Sequence, residues 1–150
     1  MTRREVREVA LKALYQVDIA RTPVKDALKW ALLSGEGKIS AANERFLTTL
    51  VSGAAQHLES IDKIISRFAR GWTIERMGSI DRNVLRLAIY EMLYMNETSP
   101  GVAINEAVEL AKKYGDQDSG RFVNGILASV ARNIVDNEER LDRPRDDAGN

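Results

Sequence analysis

Hydrophobic positions recur at helical spacing along almost all of this chain, and one run is apolar nearly all round. In IDRNVLRLAIYEMLYM, residues 80–95, Ile80, Val84, Leu85, Leu87, Ala88, Ile89, Met92 and Leu93 cover most of a helix's circumference. Such a helix is buried, with other helices packed against it. Ser79 is placed to cap it, and Asp81 falls in the first turn, where the dipole favours an anion. Arg82, Arg86 and Tyr90, spaced i, i+4, i+8, form one narrow stripe that the core does not claim. The run is too short and too charged to cross a bilayer.

The other segments read as helices around this one. Between Arg3 and Ile19, Val6, Val9, Ala10, Ala13, Leu14 and Val17 make a core-facing stripe. Arg4, Arg7, Leu11 and Tyr15 fall together on a second stripe beside it. Two guanidiniums followed by an aromatic ring make either a surface for phosphates and a stacked base, or a solvated arginine face with Tyr15 half-tucked into the core. Glu5 and Glu8 dilute the charge and are placed to pair with neighbouring basic groups. Thr22-Pro23 opens a short second helix. The loop SGEGKIS, residues 34–40, fails as a phosphate-binding loop, because Ile39 stands where a hydroxyl is needed and no strand precedes it.

Ser40 caps a third helix built on Phe46, Leu47, Leu50, Val51, Ala54 and Leu58. A break near Ser60 separates it from Ile61, Ile64, Ile65 and Phe68, and Gly71 ends the run. WTIERMG is a short turn capped by Thr73, with Trp72 as a core or inter-lobe anchor. After the turn-rich NETSPG, the stretch VAINEAVELAKKYG faces Ile104, Ala107, Val108 and Ala111 inward, and Gly115 closes it behind Lys112 and Lys113. Asp118 or Ser119 caps the last helix, whose stripe is Val123, Ile126, Leu127, Val130 and Ile134. Residues 136–150 are charged and aperiodic, a disordered tail by composition. Nothing alternates as a strand would. The expected fold is therefore all-α, a compact bundle of about seven helices, with lobes at roughly 1–71 and 72–135.

Charge and composition narrow the chemistry. Twenty-two Lys and Arg balance 22 Asp and Glu, so binding to nucleic acid has to come from a local cluster and not from overall charge. The absence of cysteine excludes disulfides, thiol catalysis and zinc ribbons. His57, the one histidine, has no nucleophile or second ligand at useful spacing and reads as a surface or rim residue. With no nucleophile–base pair, metal cluster or phosphate loop, the expectation is a non-enzyme with no cofactor and no metal. No signal peptide or membrane run is visible, which points to the cytoplasm.

Three blocks, in this order and spacing, carry a family resemblance: RREVREVALKALYQVD, IDRNVLRLAIYE and VAINEAVELAKKYGDQDSGRFVNGIL. Across residues 3–134 the chain resembles the NusB family of bacterial transcription antitermination factors. The resemblance implies a two-lobed helical RNA-binding protein without catalysis. Its partners would be the single-stranded boxA element of rRNA leader transcripts and a small-subunit ribosomal protein acting as NusE. Other Nus factors and RNA polymerase complete the assembly that passes terminators. By position in the matching motifs, Arg3, Arg4, Arg7, Tyr15, Arg86, Asp118 and Phe122 would face RNA, and Arg76, Asp81 and Glu106 would face the ribosomal partner. Gly120 lies where many members carry a larger side chain, and the tail is outside the family pattern. The alternatives are a helical protein–protein scaffold, as a homodimer or a polymerase adaptor, and the accessory domain of an RNA methyltransferase.

Overall fold

The structure, a computed structural model, describes residues 1–34 and 38–135. Part of the 34–40 loop and the whole 136–150 tail, both read above from sequence, lie outside the described residues. Among those residues there are seven α-helices: α1 (Arg3–Ile19), α2 (Val24–Ser34), α3 (Ala41–Gln56), α4 (Leu58–Phe68), α5 (Ser79–Tyr94), α6 (Pro100–Tyr114) and α7 (Ser119–Val130). A π-helical turn, Ala131–Val135, continues α7. The all-α expectation holds, and no described residue lies in a strand.

Local chemistry sets most of the helix starts. Thr2 and Glu5 form a reciprocal capping box at the head of α1. Ser40 accepts from Asn43 N at 3.1 Å to start α3. Ser99 caps α6 with Pro100 in its first turn, so that helix begins ahead of the expected Val102. One expected cap is displaced, and another keeps its place without its side-chain bond. Gly78, not Ser79, stands at the N-cap of α5, and its carbonyl accepts from Arg82 N at 2.9 Å. Asp118 occupies the N-cap of α7 but makes no side-chain cap bond. Instead the Asp116 carboxylate accepts from Asp118 N at 2.9 Å and from the Ser119 hydroxyl at 3.3 Å. The break between α3 and α4 falls at His57 and not near Ser60. Gly71, at φ +80°, takes the left-handed turn that follows α4.

The apolar run lies where its pattern placed it. Every residue from Asn83 to Leu93 of α5 is buried, against α1, α3, α4, α6 and α7. One close approach fixes its depth. Gly53 of α3 lies so near the Tyr90 ring that a β-carbon added there would overlap it. Tyr90 cannot step aside cheaply, because it stacks on Tyr94 at 5.0 Å and 10°. His57, half-buried at the α3–α4 joint, covers Tyr94 at 4.4 Å. Gly53→Ala is therefore expected to destabilise the fold by about 1–3 kcal/mol through overpacking. Urea melts check this; an unchanged midpoint would mean that Tyr90 turns out freely.

Candidate functional site

The α1 stripe is split by packing. Arg4 and Tyr15 reach the surface, Tyr15 at 37% exposure, but Arg7 and Leu11 do not, at 7% and 2%. The expectation that Arg7 faces outward is corrected here. Helix α1 is covered on several sides, by α2, α3 and α5, so its buried sector is wider than its apolar residues alone indicate. Arg7 points into that sector because an acid waits there. Its Nε and Nη2 donate to Glu91 Oε1 and Oε2 at 3.1 and 2.6 Å, and Glu91 is 2% exposed. Arg4 makes a second fork outside, donating to Glu106 of α6 at 3.0 and 2.8 Å. The Arg4 hydrogen bond holds the Glu106 carboxyl below its usual range, against partial burial and with help from the charges of Arg4 and Arg7. Arg3 lies over the Phe46 ring at 4.1 Å and donates to Asn43 at 3.0 Å and to Glu97 at 3.4 Å.

Arg86 is also corrected: it is 4% exposed, and Tyr90 beside it is buried. Arg86 donates to both oxygens of Asp62 on α4 at 2.9 and 2.8 Å and to Asn83 at 3.1 Å, and it lies 3.2 Å from Asp18 of α1. Arg82 shares Asp18, at 2.9 and 2.7 Å, and donates to the carbonyls of Ile74 and Met77. The polar stripe of α5 is thus an ion-pair net joining α5 to α1, α4 and the preceding turn. Burial pushes the Asp18 carboxyl up, but hydrogen bonds from Arg82 and Asn83 and the charges of Arg86 and Arg82 outweigh it and bring the carboxyl below its ordinary value.

A second constellation forms where α5 and α7 begin. Asp81, Asp118 and Phe122 line one cleft of about 280 Å³ with Trp72, Met77, Gly78 and Asp116. Trp72 is not a core anchor: it is 49% exposed and stands edge-on to Phe122 at 5.9 Å and 72°. Burial raises the Asp81 carboxyl, a Ser119 hydrogen bond opposes this, and the neighbouring Asp116 adds to it. Arg76 is exposed in the short turn ahead of α5, where its backbone N donates to Thr73 Oγ1 at 3.3 Å. The residues expected to meet RNA and those expected to meet a protein therefore interleave. Arg4 sits with Glu106, and Asp118 and Phe122 share a cleft with Asp81.

Sequence reasoning missed the acids that hold the arginines, Asp18, Asp62 and Glu91, although Glu91 on an otherwise apolar helix called for a buried cation. It also missed the α1–α6 rim, where Lys113 donates to Glu8 at 2.8 Å and Tyr114 to the same carboxylate at 3.1 Å. Lys12 Nζ lies 5.7 Å from the Tyr114 ring centre. At Gly120 an added β-carbon would sit 3.0 Å from Lys112 Cγ, so the bare backbone there accommodates the lysine stem. Among the described residues no cluster of His, Asp or Glu could hold a metal ion, and no helix is long and apolar enough to cross a membrane.

The model of the NusB family matches residues 4–132. This chain belongs to the NusB family. The transcription antitermination protein NusB of Symbiobacterium thermophilum is 44% identical over 140 residues, 89% of this chain and 92% of that protein. Its counterpart from Geobacillus kaustophilus is 45% identical over 130 residues, 87% of this chain and 95% of that protein. Among solved structures, NusB of T. maritima superposes with a TM-score of 0.81 at 35% identity, over 89% of this chain and 92% of that one. A crystal structure of the antitermination factors NusB and NusE in complex with dsRNA superposes at 0.78 and 32% identity, over 87% of this chain and 96% of that one. The resemblance read from three sequence blocks thus extends to the whole NusB fold.

Proposed function

We propose that this chain is a non-catalytic, RNA-binding transcription antitermination factor of the cytoplasm. With a small-subunit ribosomal protein acting as NusE, it binds single-stranded boxA RNA in rRNA leaders and helps RNA polymerase read through terminators. The observation that carries this reading is the near full-length likeness to a NusB solved together with NusE and RNA.

Within that reading, Arg3, Arg4, Tyr15, Asp118 and Phe122 make the RNA contacts. Arg7 and Arg86 act behind them, holding α1 and α5 in place. Arg76, Asp81 and Glu106 meet the ribosomal partner. Tyr15 and Phe122 supply faces for unstacked bases. With Arg7 and Arg86 withdrawn, Arg3 and Arg4 neutralise two phosphates, for a log–log salt slope of about −1.4 on the single-strand scale. So shallow a dependence suits a protein that reaches full affinity only beside a second protein.

The test is an anisotropy titration of labelled boxA-like RNA, with and without the ribosomal partner, at two salt concentrations. Tyr15→Leu should cost about 1–3 kcal/mol of RNA affinity, one stacked base, while leaving the melting temperature near its starting value. Wild-type protein that shows no salt-sensitive RNA binding even with the partner present would favour a protein–protein scaffold instead.

A further inference from the structure

The rim between α1 and α6 carries two ion pairs that cross. Arg4 of α1 is held by Glu106 of α6, and Lys113 of α6 is held by Glu8 of α1. Both cations are 58% exposed, whereas the acids are only 14% and 21% exposed. The carboxylates are thus seated low in a groove of about 200 Å³, with the cations leaning over them towards solvent. Neither acid is idle. Glu106 also lies 4.0 Å from Arg7, and Glu8 accepts from the Tyr114 hydroxyl. The Glu106 hydrogen bond raises Arg4, and the Glu8 hydrogen bond raises Lys113, as expected of cations already satisfied within the protein.

A phosphate approaching this rim meets cations that are exposed but occupied. To gain Arg4 or Lys113 it must displace a carboxylate that remains fixed nearby and repels it. We propose that, in the chain free of its ribosomal partner, Glu106 and Glu8 are specificity-determining residues for RNA. They hold Arg4 and Lys113 back from indiscriminate phosphate contact, so that a strand binds only when its other contacts offset the loss of these pairs. This rests on the RNA-binding reading above and adds to it a reason for acids on a nucleic-acid face.

The full chain, without partner, is titrated with two labelled single strands of equal length, one boxA-like and one polyuridine. Glu106→Gln keeps the shape and removes the charge. It should tighten polyuridine binding about two- to fivefold at low salt, the scale of an exposed ion pair. The boxA-like strand should gain less, so discrimination falls. The polyuridine salt slope should steepen by about 0.7 for the one cation freed. Glu109→Gln is the charge-matched control: Glu109 lines the same groove but lies 3.9 Å from Lys112 and leaves the Arg4 fork intact. Its effect should be smaller. Equal tightening by both variants would reduce the effect to net charge and overturn the proposal. So would unchanged or weaker polyuridine binding by Glu106→Gln at an unchanged melting temperature. If Glu106→Gln melts early, Glu8→Gln gives the same reading through Lys113. Wild type and variants all inert towards both strands, and still inert once the ribosomal partner is added, would overturn the RNA reading itself, whereas binding that ignores the substitutions overturns only the masking.

Discussion

Arg7→Ala is expected to lower the unfolding free energy by about 3–5 kcal/mol, because it strands the Glu91 carboxylate in the core without its cation. For a chain of this size that is a fall in melting temperature on the order of 10 °C. The loss comes less from the attraction removed than from the charge left behind, since Glu91 is 2% exposed and cannot turn to water. Removing both partners tests this. An Arg7→Met, Glu91→Leu double variant should recover most of the loss, as buried pairs replaced by apolar side chains of similar volume often do. If the single variant melts with the wild type, Arg7 is not held as described. RNA affinity measured well below the variant's midpoint should change little, because the guanidinium does not reach the surface. A large specific loss in the folded variant would return Arg7 to the RNA face that the family resemblance implied for it.

Arg86→Ala is the second large effect, at about 2–4 kcal/mol. It is smaller because the stranded acids, Asp62 and Asp18, are 23% and 20% exposed and can be partly hydrated. Its signature is in pH. Asp18 titrates below its ordinary value in the folded protein, so its contribution is present above the unfolded pKa near 3.8 and is lost as pH falls through the lower folded value. Removing Arg86 takes away one of the charges that hold Asp18 down. Acid unfolding should then begin at higher pH and depend less steeply on it. Denaturant midpoints between pH 2.5 and 6 measure this, and parallel curves for variant and wild type would count against it.

What was legible in the sequence was mostly local. Period 3.6 placed the helices, Ser40 and the Thr73 turn were readable as caps, and the apolar circumference of the run after Ser79 made it the central helix. Gly78 took the cap position expected of Ser79, whereas Asp118 stands at the N-cap of α7 as expected, with Asp116 accepting from its backbone N. Arg7 and Arg86 were not legible in the same way. A helical wheel shows that a guanidinium shares a face with its neighbours, but not what comes to meet that face, and the acids that do are 84 and 24 residues away. Long side chains make the error easy, because a polar stripe on a helix packed on several sides can be absorbed whole once acids face it. Trp72 was misplaced for the opposite reason. Its size favoured the core, yet it stands half-exposed with its ring edge-on to Phe122. Of the candidate site, Arg4 and Tyr15 reach the surface as the α1 stripe suggested and Phe122 is half-buried against the core, while the acids Glu91 and Asp62 that take Arg7 and Arg86 inward were not legible.

The crossing of α1 to α5 and α6 has a consequence for biosynthesis. The acids that receive Arg7 and Arg4 stand 84 and 102 residues further along. While the ribosome is still delivering α2, α3 and α4, those two guanidiniums have no Glu91 or Glu106 to turn to. Closing so long a loop is slow relative to forming any single helix. Helix α1 packs on α2 and α3, which emerge earlier, but a nascent chain halted before α5 emerges carries Arg4 and Arg7 without the acids that receive them, at the site where transcripts are being translated.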